Sequence, residues 1–126
     1  MYVTDTHALL WYMTGHKALS PRAKRAFDEC VEGLHTLYIP AVVLIEALRL
    51  IDRRSTSMEL QTFVRSIETS THSQVVPLDW SLFKAMTALP PSLELHDRAI
   101  AATAMICEAP LITKDTALKG IVRTLW

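Results

Sequence analysis

Apolar residues along this chain alternate between short strand-like runs and longer helix-like blocks. Tyr2-Val3-Thr4 predicts a strand ending at Asp5, and Thr6 to Met13, with its apolar block Ala8 to Tyr12, predicts a helix closed by Gly15. Ser20-Pro21 pairs a helix-capping side chain with a proline at the first helical position, so a helix is expected from Pro21 to Val31, stopping at Gly33. Leu37-Tyr38-Ile39 reads as a second strand. Pro40 then opens the stretch Ala41 to Ile51, too long for an ordinary strand and read as a buried helix with Glu46 in its middle.

The same alternation continues to the C-terminus. Ser57 is expected to cap an amphipathic helix reaching Ser70, Gln74-Val75-Val76 forms a strand, and Asp79 caps a helix to Leu89, after which Pro90-Pro91 breaks the chain. His96-Asp97 begins a helix rich in Ala and Ile that ends near Glu108. Leu111-Ile112-Thr113 is a strand leading to Asp115, and the chain closes on Val122 to Trp126. Strands alternating with helices predict an α/β fold whose mostly parallel sheet is covered on both faces. No repeat, low-complexity tract or linker divides residues 1–126, so one domain is expected.

Composition changes this picture in one respect. Half of the residues are hydrophobic and the mean hydropathy is +0.20, apolar for a chain of 126 residues, so part of the surface is expected to face a partner. No apolar run approaches the roughly twenty residues that span a bilayer, which points to a cytoplasmic protein without a membrane partner. Cys30 and Cys107 are far apart and lack metal-ligand spacing; they are expected to be reduced and half-buried. Thirteen basic and thirteen acidic residues cancel, which excludes nucleic-acid binding by bulk attraction and makes any RNA contact local. The basic clusters at Arg22, Lys24, Arg25 and at Arg49, Arg53, Arg54 read by themselves as solvated helix faces.

The acidic residues carry the candidate chemistry. In an open parallel sheet, ligands bind beyond the carboxyl ends of the strands, where Asp5 and Asp115 fall. Each alone is explained by cap or turn chemistry, and Asp97 by its place at a helix N-terminus. Glu46 interrupts an apolar helix beside Val42, Val43 and Leu50 and needs either a counter-charge, with Arg49 three residues on, or a cation. Taken together, three Asp and one Glu can converge at one edge of the sheet. Converging carboxylates repel unless protons or a hard cation neutralise them, and oxygen donors suit Mg²⁺ or Mn²⁺. Phosphodiester hydrolysis by an activated water is the chemistry such a site supports.

At these residues the sequence resembles the PIN-domain family, and within it the VapC-type toxins of toxin–antitoxin pairs. Val3-Thr4-Asp5-Thr6-His7-Ala8-Leu9-Leu10-Trp11 is similar to the family's opening and Leu111-Ile112-Thr113-Lys114-Asp115 to its last acidic strand end. Leu44-Ile45-Glu46-Ala47 and His96-Asp97-Arg98-Ala99-Ile100-Ala101-Ala102-Thr103-Ala104 resemble the acidic motifs between them. The resemblance implies a PIN-like α/β/α sandwich, an endoribonuclease using Mg²⁺ or Mn²⁺, an RNA substrate, and two covers for the apolar surface, a second copy in a homodimer and a cognate antitoxin. It implies metal binding by Asp5 and Asp97, with Glu46 and Asp115 completing the site, and places Thr113 and Thr6 beside it. The chain departs from the family at Ile39-Pro40-Ala41-Val42, where relatives often carry serines, and at Glu94-Leu95-His96, which lacks a preceding Asp-Pro. His96 is expected to cap its helix, with RNA contact as the alternative.

Other function classes compete. A PIN scaffold that binds without cleaving would carry the same motifs, though here all four acids are intact. A phosphoacceptor signalling domain would want paired acids after the first strand, whereas Asp5 is followed by Thr6 and His7.

Overall fold

A computed structural model describes residues 1–126. Five strands form one sheet: β1 (Tyr2–Thr4), β2 (Leu37–Pro40), β3 (Ser73–Val76), β4 (Leu111–Ile112) and β5 (Thr124–Leu125). Their order is β3-β2-β1-β4-β5, and every pairing is parallel. Parallel neighbours require crossovers, here made by α1 (Thr6–Thr14), α2 (Pro21–Val31), α3 (Ala41–Asp52), α4 (Leu60–Thr69), α5 (Trp80–Thr87) and α6 (Leu95–Ile106). The result is the expected PIN-like α/β/α sandwich. The chain leaves β1 toward β2 on one side and returns to β4 on the other, so the strand order reverses between β1 and β4. That is where an open parallel sheet presents a crevice.

Local signals act largely as read. The Asp5 side chain caps α1 by accepting from the Ala8 amide at 2.7 Å, and Gly15, at φ 65°, closes the helix in the left-handed conformation. Ser20 caps α2 and Asp79 caps α5 through their side chains. Ser57 does not cap α4: that helix starts at Leu60 with Glu59 at its N-cap and no side-chain bond, and the nearby Thr56 hydroxyl instead accepts from the Met58 amide. A local turn at Thr56–Met58 precedes the helix and moves its start past Ser57. The closing segment contributes β5, a strand of only two residues.

The core forms one cluster, with Phe27, Leu9, Ile39, Leu82 and Leu111 among its fully buried side chains. Small residues bring α6 close to the sheet, since Ala99, Ala101, Ala102 and Ala104 are all buried. The expectation of a buried α3 holds along one stripe only. Only Val42, Val43 and Ala47 are buried, while Ile45 is 64% exposed. One stripe of α3 meets the core, and the opposite stripe stays apolar and open. No helix is long and apolar enough to cross a membrane.

Candidate active site at the strand ends

Asp5 follows β1 directly and Asp115 lies three residues beyond Ile112 of β4, so two parallel neighbours deliver carboxylates to the same sheet edge. Pro40 ends β2 and begins α3 without a connecting loop, which places Glu46 in the second turn above that edge. Asp97 lies in the first turn of α6. All four acids line one cleft of about 360 Å³, together with Thr6, His7, Trp11, Glu94, Thr113 and Lys114.

Hydroxyl groups hold two of these carboxylates. The Thr6 hydroxyl donates to Glu46 Oε2 at 2.9 Å. The Thr113 hydroxyl donates to Asp5 Oδ2 and itself accepts from the Asp115 amide at 3.0 Å, so a short relay links the ends of β1 and β4. Thr6 and Thr113 are both buried, which fixes the hydroxyls as orienting groups. Asp115 also accepts from the Ala117 amide at 2.8 Å, capping the short 3₁₀ turn Thr116–Leu118. Cap chemistry and a place in the cleft therefore coincide at Asp5 and at Asp115.

The charge balance of the cleft is unusual. No cation pairs with its acids: the ion pairs in the structure are Lys24 with Asp28 and His35 with Glu29, both elsewhere. Glu46 consequently meets a threonine hydroxyl, and the ion pair open to Arg49 does not form. Burial pushes the Asp5 carboxyl above its ordinary range, with Asp115 adding to the rise and the Thr113 and Ala8 hydrogen bonds opposing it. Asp97 is likewise raised, first by burial and then by repulsion from Asp115, Glu94, Glu46 and Asp5. The acids feel one another across the cleft. They do not close into a ready-made coordination shell, however, since nowhere do three Asp, Glu, His or Cys side chains converge closely enough to hold a metal ion.

His96 stands apart from this arrangement. It neither caps α6, which begins at Leu95 with Glu94 at its N-cap and no side-chain bond, nor lines the cleft. The helix starts one residue earlier than the sequence suggested, and that turns His96 away from the capping position. Glu94, conversely, lines the cleft, although in the sequence it stands out only as part of a departure from the family pattern. Its signal was the spacing of three to Asp97, about one helical turn. His7 and Trp11 were likewise missed, although four residues apart they share one face of α1.

A family model described as PIN domain matches residues 2–123. No curated protein sequence matches the chain. Among solved structures, the chain is similar to one from a toxin–antitoxin complex of Klebsiella pneumoniae, with a TM-score of 0.73 and 19% identity over 100% of this chain and 97% of that one. It is also similar to a chain of VapBC2 from Rickettsia felis bound to a promoter DNA fragment, with a TM-score of 0.68 and 13% identity over 98% of this chain and 96% of the other.

Proposed function

Because this chain belongs to the PIN domain family, we propose that it is a divalent-metal-dependent endoribonuclease, one PIN domain over residues 1–126, acting as the toxin of a toxin–antitoxin pair. The carrying observation is the set of five carboxylates, Asp5, Glu46, Glu94, Asp97 and Asp115, that line one cleft at the strand-order reversal with no cationic partner. A cluster of that kind is poised to take up positive charge.

The donors fit a hard cation. They are carboxylate and hydroxyl oxygens with no thiol among them, a donor set that suits Mg²⁺ or Mn²⁺. Asp5 and Asp97 would hold the ion, with Glu46 and Asp115 completing its surroundings. When bound, such an ion neutralises charge on the phosphoryl oxygens and favours ionisation of the attacking water. Thr113 and Thr6 keep Asp5 and Glu46 aimed into the cleft. Glu46 or Asp115 accepts the proton released as water attacks the phosphodiester.

The toxin assignment draws on the fold shared with toxin–antitoxin complexes. A partner-covered surface has a physical basis as well: Trp80 is 69% exposed and stacks on the exposed Phe83, and α3 leaves Ile45 and Leu48 open. We assign these faces to a homodimer and to the antitoxin. The deciding experiment incubates purified protein with single-stranded RNA and millimolar Mg²⁺ or Mn²⁺. Cleavage is expected from the native chain, and none from Asp97→Asn or in EDTA. Wild-type cleavage by Asp97→Asn would overturn the reading.

A further inference from the structure

Beside the acidic cleft lies a second cavity, of about 460 Å³, large enough for a small ligand. The two share His7 and Trp11 in their walls. Their chemistry is opposite, because the second cavity is lined by no acid; its charged and polar groups are those of His16, Arg54 and the Ser55-Thr56-Ser57 run, with His7 and Thr14. Arg54 makes no ion pair.

Two details mark this cavity as built. Arg54 has φ 55°, the left-handed conformation in which glycine is unstrained and arginine is not. It sits just past the end of α3, where the Arg54 amide bonds the Ile51 carbonyl at 3.0 Å and the Ser55 amide bonds the Leu50 carbonyl at 2.9 Å. The position favours glycine, yet it carries an arginine that lines a cavity next to the acids. The second detail is an aromatic platform. The His16 ring stacks on Trp11, with centroids 5.5 Å apart and planes 20° apart, and Trp126 meets Trp11 edge-on. The Ala18 amide donates to His16 Nδ1 at 3.0 Å, which pins the exposed imidazole in place.

We propose that this cavity is a nucleotide subsite for an RNA strand lying across the acidic cleft: Arg54 and the Ser55–Ser57 hydroxyls take a backbone phosphate, and the Trp11–His16 stack carries an unpaired base. The inference rests on the nuclease reading above and names how that site holds its substrate. A flexible single strand needs a stacking surface and a local positive charge, and this cavity supplies both where the overall charge is zero. The shared wall at His7 and Trp11 puts the subsite next to the bond to be cut. An exposed aromatic ring beside an arginine favours an unpaired base over a duplex, whose bases are already stacked.

The test measures binding of a fluorescein-labelled RNA hexamer by anisotropy, using the cleavage-blocked Asp97→Asn chain as reference. Arg54→Gly added to it is expected to weaken binding about tenfold and to lower the log–log salt slope by about 0.7, one phosphate on a single strand. Its melting temperature should hold or rise, because glycine suits the backbone there, so loss of binding is not unfolding. His16→Ala should weaken binding about fivefold or more with an unchanged salt slope. Arg25→Ala, on the exposed face of α2, should change neither. Equal binding by Arg54→Gly, His16→Ala and the reference, or no binding by the reference, overturns the subsite. If the native chain still cleaves RNA in that case, the nuclease reading stands alone. If the variants lose binding while the native chain never cleaves, the nuclease reading falls and the subsite remains as an RNA-binding site.

Discussion

Two recesses of similar size, about 360 and 430 Å³, are built on opposite terms. The larger lies between α1, α2 and α4 over β2, walled by Leu9, Phe27 and Ile39, all essentially buried. The smaller is the acidic cleft. Burial raises a pKa in both, with contrary consequences. In the apolar recess the Cys30 thiol is pushed up to about 11, mainly by burial, which leaves it neutral and unreactive at physiological pH. In the cleft burial raises the carboxyls of Asp5 and Asp97 above their ordinary range, and neighbouring acids add to the rise. One recess stabilises the fold by staying neutral; the other holds charge that opposes the fold until something neutralises it. The difference follows from position, because strand ends at an order reversal expose polar chain ends that a sheet face does not.

The sharpest way to separate the two is to remove one key group from each. Asp5→Asn should lower RNA cleavage by about 10³-fold or more while the protein stays folded, since asparagine caps a helix about as well as aspartate. Phe27→Ala should do the reverse, costing about 3–5 kcal/mol of stability with little change in cleavage per folded molecule. Initial rates beside urea melts of both variants would show the crossing pattern; loss of activity in both at equal stability would break the comparison.

A smaller effect is expected at Thr113. Thr113→Val removes the hydroxyl that donates to Asp5 and accepts from the Asp115 amide. Cleavage should fall about 10- to 100-fold. Because that hydrogen bond holds the Asp5 pKa down, its loss should also move the acid limb of the pH–rate profile to higher pH. An unmoved acid limb would show that Asp5 does not govern it.

The next effect is on stability against pH. Asp5 and Asp97 have folded-state pKa values above the unfolded 3.8, so the folded form holds its protons more tightly. Their contribution is favourable below that pH and is lost as pH rises through the folded values. Asp97→Asn should therefore be more stable than the parent near neutrality, with the difference vanishing toward pH 3. Millimolar Mg²⁺ should raise the parent's melting temperature near neutrality and the variant's less. Parallel stability–pH curves for the two proteins would contradict the cleft's electrostatics.

The smallest change is expected in the apolar recess. Cys30→Ala should cost about 1 kcal/mol and leave cleavage intact, and the native thiol should resist alkylation until the chain unfolds. Rapid alkylation of the folded protein would show that the recess is open to reagents and that its burial is overstated.

Much of this molecule was legible in its sequence for identifiable reasons. Caps at Asp5, Ser20 and Asp79 are local interactions, and their side chains bond the amides three residues on. Signals failed where the helix began at another residue, later than Ser57 for α4 and a residue before His96 for α6. The apolar stretch from Ala41 to Ile51 fixed a helix but not its depth, since apolar content does not say which stripe finds the core.

The sequence by itself determined the alternation of strands and helices, and with it a parallel sheet, because period and capping are short-range properties of the backbone. It also marked Asp5, Glu46, Asp97 and Asp115 as candidates. Only the tertiary structure decided that these four share a cleft with Glu94, that Thr6 rather than Arg49 meets Glu46, and that Trp11, His16 and Arg54 wall a neighbouring cavity. Those relations join residues as far apart as Asp5 and Thr113, brought together by the pairing of β1 with β4. Strand order is set by packing of the whole core, a long-range sum that no local pattern in the chain encodes.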